Sequence, residues 1–450
     1  MLRTSPRRKP LLSYTEGSDG MTTSKPSRTP GAAAKDKKAL SKTPAKAAQK
    51  RKADAADDGD HPESTPQQKK RKARAKAKAA DNTMPLVVRT AVSSLKKTMY
   101  IGAHVSAAGG VQNSVLNAMQ IGANSFALFL KSQRKWNNPP ISPEDHDLFV
   151  SNCKKNSYSA AEHALPHGSY LVNLAQADET KATQAYNSFV DDLRRCEQLG
   201  IKLYNFHPGS TGGDSRQAAI GRIAAQLNKS HKATESVITV LENMAGAGNV
   251  IGSTWEDLRD IIALVDDKER VGVCIDTCHA FTAGYDLRTS QAFQDTMEAF
   301  RKTVGFKYLK ALHLNDSKAP FNSNRDLHAN IGTGFLGLRA FHHIMNHDNF
   351  RNMPMVLETP IDRKGPDGKT TEDKQIWADE IKLLESLIGM DVESNEFEAK
   401  SEELQAEGAA ERSRIQDQVD KKIVKGTKKA SKLTAAPKRK RPRGSDDDSH

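Results

Sequence analysis

Nine side chains that could bind metal stand at the ends of short apolar runs in this 450-residue chain or, for Asp326 and His328, after the loop that follows one. They are His167 in ALPHGSYL, His207 in NFHPGS, Glu242 in LEN, Asp276 and His279 in IDTCH, His313 in LHLND, Asp326 and His328 in DLH, and Glu358 in LETP. Neutral imidazole and carboxylate together make a borderline nitrogen and oxygen donor set, suited to Zn²⁺ and also to Mn²⁺ or Fe²⁺. Five His and four carboxylates exceed what one tetrahedral ion takes. They suit two or three ions if at least one carboxylate bridges, and a pair of ions about 3.5–4 Å apart is the arrangement used to displace a phosphoester. One strand-end His is more often a satisfied structural residue, but the joint pattern has no obvious packing purpose.

Such groups must be held by a scaffold that brings successive strand ends to one rim. Strand-like runs are predicted at Met99–Val105, Ser125–Lys131, His163–Leu171, Lys202–Gly209, Val237–Ala245, Val271–His279, Tyr308–Asp316 and Met353–Pro360. Helix-periodic stretches begin near Gly109, Ser142, Thr183, Gly212, Thr254, Ser290, Gly337 and Asp373, with TWEDLRDIIALVDD showing the clearest capping pattern. Eight alternations predict an α/β protein, a (β/α)₈ TIM barrel whose catalytic groups lie at the C-terminal ends of its strands. A doubly wound open sheet is the alternative. It is weakened because Gly109-Gly110 lacks the spacing of a dinucleotide-binding loop.

The ends of the chain have another texture. The net charge is +13, but residues 1–97 carry 24 basic and 9 acidic side chains, residues 98–400 carry 31 and 37, and residues 401–450 carry 13 and 9. The expected organisation is a disordered basic arm (1–97), a catalytic barrel (98–390) and a polar, basic, disordered C-terminal tail (391–450), within which residues 391–420 are acidic with some helical character. Lys50-Arg51-Lys52 and Lys69-Lys70-Arg71-Lys72 read as a bipartite nuclear address, with Lys438-Arg439-Lys440-Arg441-Pro442-Arg443 as a third cluster. The Arg-bearing, acid-free start MLRTSPRRKPLLSYT weakly resembles an organelle transit peptide, with a plain basic disordered start as the commoner alternative. The four Cys (Cys153, Cys196, Cys274, Cys278) give neither a disulfide framework nor zinc-finger spacing, and no run is long enough to span a membrane. Nucleus, with mitochondrion as a second destination, is the expected location.

A second group of residues concerns the substrate. KSQRKWNNPP places Arg134, Lys135 and Trp136 on a rim loop, and Tyr170-Leu171 follows His167. Basic groups hold phosphates, and an aromatic or aliphatic side chain can fill the gap left by a displaced nucleotide. His104, in IGAHVSAAGG, points at the same rim, where it would support a ligand or face a phosphate.

On these residues the chain closely resembles the endonuclease IV family of apurinic/apyrimidinic endonucleases, from about Tyr100 to Glu385. The matching stretches are YIGAHVSAAGG, QRKW, LPHGSYLVNL, NFHPGS, LENMAGAGN, VGVCIDTCHAFTAGYDLRT, LHLNDSK, DLHANIGTG and LETP. The resemblance implies a barrel holding three zinc ions. His167, His207 and Glu242 would bind the first, Glu242 would bridge to a second held by Asp276, His313 and Glu358, and His279, Asp326 and His328 would bind the third. It further implies a monomer that incises double-stranded DNA 5′ to abasic sites or clears 3′-blocked ends, with Glu242 catalytic and Arg134, Trp136, Tyr170 and Leu171 on the DNA. The nuclear import machinery would read the basic clusters. A metal-dependent sugar isomerase on the same scaffold and a non-enzymatic chromatin protein binding through its tails are the competing readings.

Overall fold

The apolar runs lie side by side in a computed structural model of the protein, whose described residues are 84–365 and 367–434. The three basic clusters, the first fifteen residues, His61 and His450 lie outside the described residues. Strands β1 (Tyr100–His104), β2 (Ser125–Ala127), β3 (Leu203–Phe206), β4 (Ile238–Glu242), β5 (Val271–Asp276), β6 (Leu309–His313) and β9 (Pro354–Leu357) form one sheet in the order β2-β1-β9-β6-β5-β4-β3. Every pairing in it is parallel. Two short strands that pair with each other in antiparallel fashion, β7 (Asp316–Ser317) and β8 (His328–Ala329), follow β6 along the chain.

The segment predicted as the third strand closes the ring. Phe126 bridges to Ala164 and His167 to Asn205, both in parallel. On one side the N–H groups of Leu165 and His167 donate to Phe126 and Leu128 (2.9 and 3.0 Å); on the other, Asn205 donates to Pro166 (2.9 Å) and Gly168 to Asn205 (2.8 Å). Pro166 has no N–H to give, so the segment makes bridges rather than a full ladder. The result is a TIM barrel. Its interior is a layer of Ala127, Leu165, Leu203, Val240, Cys274, Ala311 and Val356, one residue from each of seven strand segments. A larger apolar layer between strands and helices includes Phe126, Phe189, Trp255, Phe300 and Phe341.

The outer helices are α1 (Gln112–Gln120), α2 (Pro143–Lys155), the one-turn α3 (Ala160–His163), α4 (Glu179–Gln198), α5 (Arg216–Lys232), α6 (Trp255–Leu264), the short α7 (Thr277–Thr282), α8 (Ser290–Thr303), α9 (Leu338–Asn346) and α10 (Gln375–Ser386). Side-chain caps start them where the sequence offers one: Ser142 accepts from Asp145 N–H, Ser215 from Ala218 and Thr254 from Asp257. No helix among the described residues is long and apolar enough to cross a membrane.

Two boundaries move. Residues 84–97, assigned above to a disordered arm, lie on the barrel: Val87 N–H donates to Gln120, Arg89 sits over the Tyr158 ring, and Thr90 donates to Glu385 at 2.6 Å. Residues 395–434, assigned to a disordered tail with some helical character only up to 420, form the single helix α11 (Asn395–Thr434). Phe397, Leu404, Gly408, Ile415 and Val419 are buried along it. Their spacing of seven and four residues is a single helical stripe, too sparse in large apolar residues to stand out from composition.

Candidate metal centre

Glu242 ends β4 fully buried, with imidazoles around it. His167 Nε2 lies 3.1 Å and His207 Nε2 3.5 Å from its Oε2, and His313 Nδ1 (3.2 Å) and His279 Nδ1 (3.3 Å) face its Oε1. Asp276, at the end of β5, caps α7 by accepting from His279 N–H at 2.8 Å, and its Oδ2 lies 3.9 Å from His313 Nδ1 and 3.8 Å from His328 Nε2. His279 therefore belongs to the helix that follows β5 rather than to the strand end predicted. Asp326 reaches His279 Nε2 and His328 Nε2, each at 3.1 Å. Glu358, just past β9, has His313 Nδ1 at 3.4 Å from Oε2 and His104 Nδ1 at 3.0 Å from Oε1.

Candidate donor atoms lie within 4.8 Å of one another in three sets: Glu242, Asp276, His313 and Glu358; His279, Asp326 and His328; and His167, Glu242 and His313. Of the nine, His207 alone falls outside such a set, although its ring is 5.0 Å from that of His167. Asp276, Cys278 and His328 form a fourth set. Burial pushes the Cys278 thiol up to about 12, which disfavours the thiolate a metal would need.

The tautomers suit cation binding. Nδ1 of His167 contacts the carbonyl of Gly168 (2.8 Å), that of His279 the carbonyl of Asn243 (2.9 Å), and that of His328 the carbonyl of Glu358 (3.3 Å). A carbonyl only accepts, so each Nδ1 donates and each Nε2 is left to face the carboxylates, where a proton or a metal cation can sit between them. His313 Nε2 is buried with no hydrogen-bond partner, whereas the buried Nε2 atoms of His279 and His328 both face Asp326. Burial disfavours the imidazolium form of His279, yet Asp276, Asp326 and Glu242 outweigh it and hold its pKa well above the ordinary value. Against the same burial, Cys274, Glu358 and Glu242 raise His313, and Asp326 and Asp276 raise His328. Conversely, burial would raise Glu242 but His313, His207 and His167 hold it well below the carboxylate range. A pocket that draws protons to its nitrogens draws any cation, and this donor set fits Zn²⁺.

Three asparagines escaped the sequence analysis. Asn205 donates to Glu242 Oε2 at 2.6 Å. Asn315 donates to Asp276 Oδ2 at 2.6 Å and accepts from Glu358 N–H at 2.8 Å. Asn243 accepts from Asp276 N–H at 2.7 Å. Their signal was an Asn beside a candidate ligand in NFH, LEN and LHLND.

Among the residues expected to meet DNA, Tyr170 is 63 % and Leu171 41 % exposed beside the cluster, with the Tyr170 ring 5.4 Å from His167 and 5.3 Å from His207. Arg134 is exposed on the neighbouring loop, which Ser169 ties to the Tyr170 segment by donating to the carbonyl of Gln133 at 3.4 Å. Trp136 is partly buried and packs against the core, where it anchors that loop.

A parallel barrel with carboxylates and imidazoles gathered at its C-terminal rim is a scaffold known by sequence as well, for residues 115–387 match the family described as xylose isomerase-like TIM barrel. The chain is 49 % identical over 303 residues to apurinic-apyrimidinic endonuclease 1 of Saccharomyces cerevisiae, covering 67 % of this chain and 79 % of that one. It is also 49 % identical over 289 residues to a probable endonuclease 4 of Campylobacter curvus, covering 64 % of this chain and 98 % of that one. The crystal structure of endonuclease IV from Thermus thermophilus aligns with a TM-score of 0.54 at 27 % identity, over 64 % of this chain and 99 % of that one. The chain belongs to the endonuclease IV family of apurinic/apyrimidinic endonucleases.

Proposed function

We propose that the protein is a zinc-dependent DNA repair hydrolase of base excision repair, which cuts the phosphodiester 5′ to an abasic site and leaves a 3′-hydroxyl and a 5′-deoxyribose phosphate. The observation that carries this reading is Glu242, set between two groups of donors so that its two oxygens face different imidazoles. His167, His207 and Glu242 would hold one ion, Glu242, Asp276, His313 and Glu358 a second, and His279, Asp326 and His328 a third. Bound zinc supplies an acidified water as nucleophile and neutralises charge building on the phosphoryl and leaving oxygens.

The chain's own residues do the rest. Asn205 and Asn315 fix the carboxylates by charge-assisted hydrogen bonds in a buried, low-dielectric setting. Tyr170 and Leu171 present an exposed aromatic and aliphatic pair beside the cluster, able to fill the space of a nucleotide turned out of the stack. That displacement costs least where no base remains to unpair. Arg134 supplies a cation for the phosphate backbone. A damaged 3′ terminus would offer the same centre a phosphoester, so removal of 3′-blocking groups is proposed as a second activity. The basic clusters outside the described residues are proposed as a nuclear address.

The test is incision of a duplex carrying one abasic site. Cleavage to a 3′-hydroxyl that chelator abolishes and Zn²⁺ restores is expected, with metal analysis giving about three zinc ions per chain. Absence of incision together with metal-dependent turnover of a free sugar would overturn the reading.

A further inference from the structure

The helix α11 travels from the outer layer of the barrel to the loop that carries Asp326 and His328, and its contacts come in order along it. The Phe397 ring lies 5.5 Å from that of His342 in α9. Gln405 then donates to the carbonyls of Gly332 (2.6 Å) and Gly334 (3.0 Å), and Arg412 to that of Thr333. Gln418 accepts from Arg325 at 3.3 Å, and Arg325 directly precedes Asp326. By residue 418 the helix has therefore reached the rim. The helical backbone continues from there to Thr434, about 24 Å further at 1.5 Å per residue. That length is on the order of seven base pairs of duplex at 3.4 Å each.

Charge changes sign at the same place. Residues 395–420 hold eight Asp or Glu and three Lys or Arg, whereas residues 421–434 hold six Lys and no acid. Lys421 and Lys422 are exposed. Complementing the helix dipole would call for basic residues in the last turn only, and this run is about four turns long. Residues 98–390, the barrel itself, carry 30 basic against 33 acidic residues, so cations to hold a polyanion near its rim must come largely from elsewhere. The family match ends at residue 387, before α11 begins.

We propose that residues 421–434 of α11 are a second DNA-binding element, a cationic helix seated beside the rim that takes duplex phosphates flanking the site of incision. This rests on the DNA reading above. The segment reads no sequence and touches no reacting atom; it adds phosphate contacts and slows escape of the duplex.

The experiment uses the full chain with Lys421, Lys422, Lys425, Lys428, Lys429 and Lys432 all changed to Gln, which forms helix about as well as Lys. Binding to an undamaged duplex of about 30 base pairs should weaken roughly tenfold or more, and the slope of log affinity against log salt should flatten by about two to four. KM for abasic duplex should rise in parallel while kcat stays unchanged. Ile415→Ala with Val419→Ala keeps every charge but loosens the seat at the rim, and should lose part of the same affinity. Equal affinity and salt slope in wild type and the Gln variant would overturn the proposal; loss in the Gln variant with none in the Ala pair would overturn the fixed seat. If the wild type binds duplex more tightly than the Gln variant yet cuts no abasic site, the helix stands and the proposed activity falls.

Discussion

Two buried glutamates, Glu242 at the rim and Glu380 in the outer layer, show how opposite environments can be built at equal depth. Glu242 has neighbours able to carry positive charge, and His313, His207 and His167 outweigh the burial that would raise its pKa, holding it well below the carboxylate range. Glu380, on α10, is contacted by the Thr359 hydroxyl, the Ile331 N–H at 2.7 Å and the Asn330 amide at 3.2 Å, all neutral. There burial wins, and the carboxyl is pushed up to about 7. Depth alone therefore says nothing about charge state; the sign of what faces the carboxyl decides it. The first arrangement stores negative charge for a cation, and the second ties the segment after β9 to the loop around Asn330.

The sharpest way to break this contrast is at Glu242. Glu242→Ala should cut single-turnover incision of abasic duplex by about a thousandfold or more while far-UV circular dichroism is retained; wild-type rates would end its proposed bridging role. His104→Ala removes the group that contacts Glu358 without removing a proposed ligand. Losses of about 10–100-fold in zinc affinity, read by competition with a chelator, are expected. Arg134→Ala, on the exposed side of the same rim, should raise KM by roughly tenfold with little change in kcat. A fall in kcat alone would place Arg134 nearer the chemistry than the loop geometry does.

Glu380→Gln should move incision least and the pH dependence of stability most. The folded protein binds the Glu380 proton more tightly than the unfolded chain does, since about 7 exceeds the ordinary 4.5. Its contribution is thus full below about pH 4.5 and is lost as pH rises through 7. Between pH 5 and 8 the wild type should lose about 2–3 kcal/mol relative to Glu380→Gln, measured by urea unfolding. Parallel pH profiles would show that Glu380 is ionised in the fold.

The sequence was most legible where periodicity and chemistry coincide. Strands ending at His104, Glu242, Asp276 and His313 are where apolar runs meet a ligand-type residue, and helices begin at or near Ser142, Thr254 and Ser290 because capping residues sit there. The placement of His279 was misread because a helix starts directly after Asp276, whose carboxylate caps it, with no loop to signal the change. Asn205, Asn243 and Asn315 were passed over because an amide that orients a carboxylate has no spacing of its own, and only its position next to a candidate ligand marks it. The ends were misjudged by composition: Val87 and the Leu404–Val419 stripe are few apolar residues in polar surroundings, and only their burial against the barrel distinguishes them.

The bridged segment around Pro166 marks the barrel's seam. Rings of hydrogen-bonded strands open first where the ladder is sparsest, and here that place carries His167, while Glu242 is rooted two strands away in a complete ladder. An ion shared by these two residues would act as a rivet across the seam. Amide exchange at Leu165, His167 and Gly168 should then slow on zinc addition far more than exchange in β4 or β5, and the ion proposed for the chemistry would also set how tightly the ring stays shut.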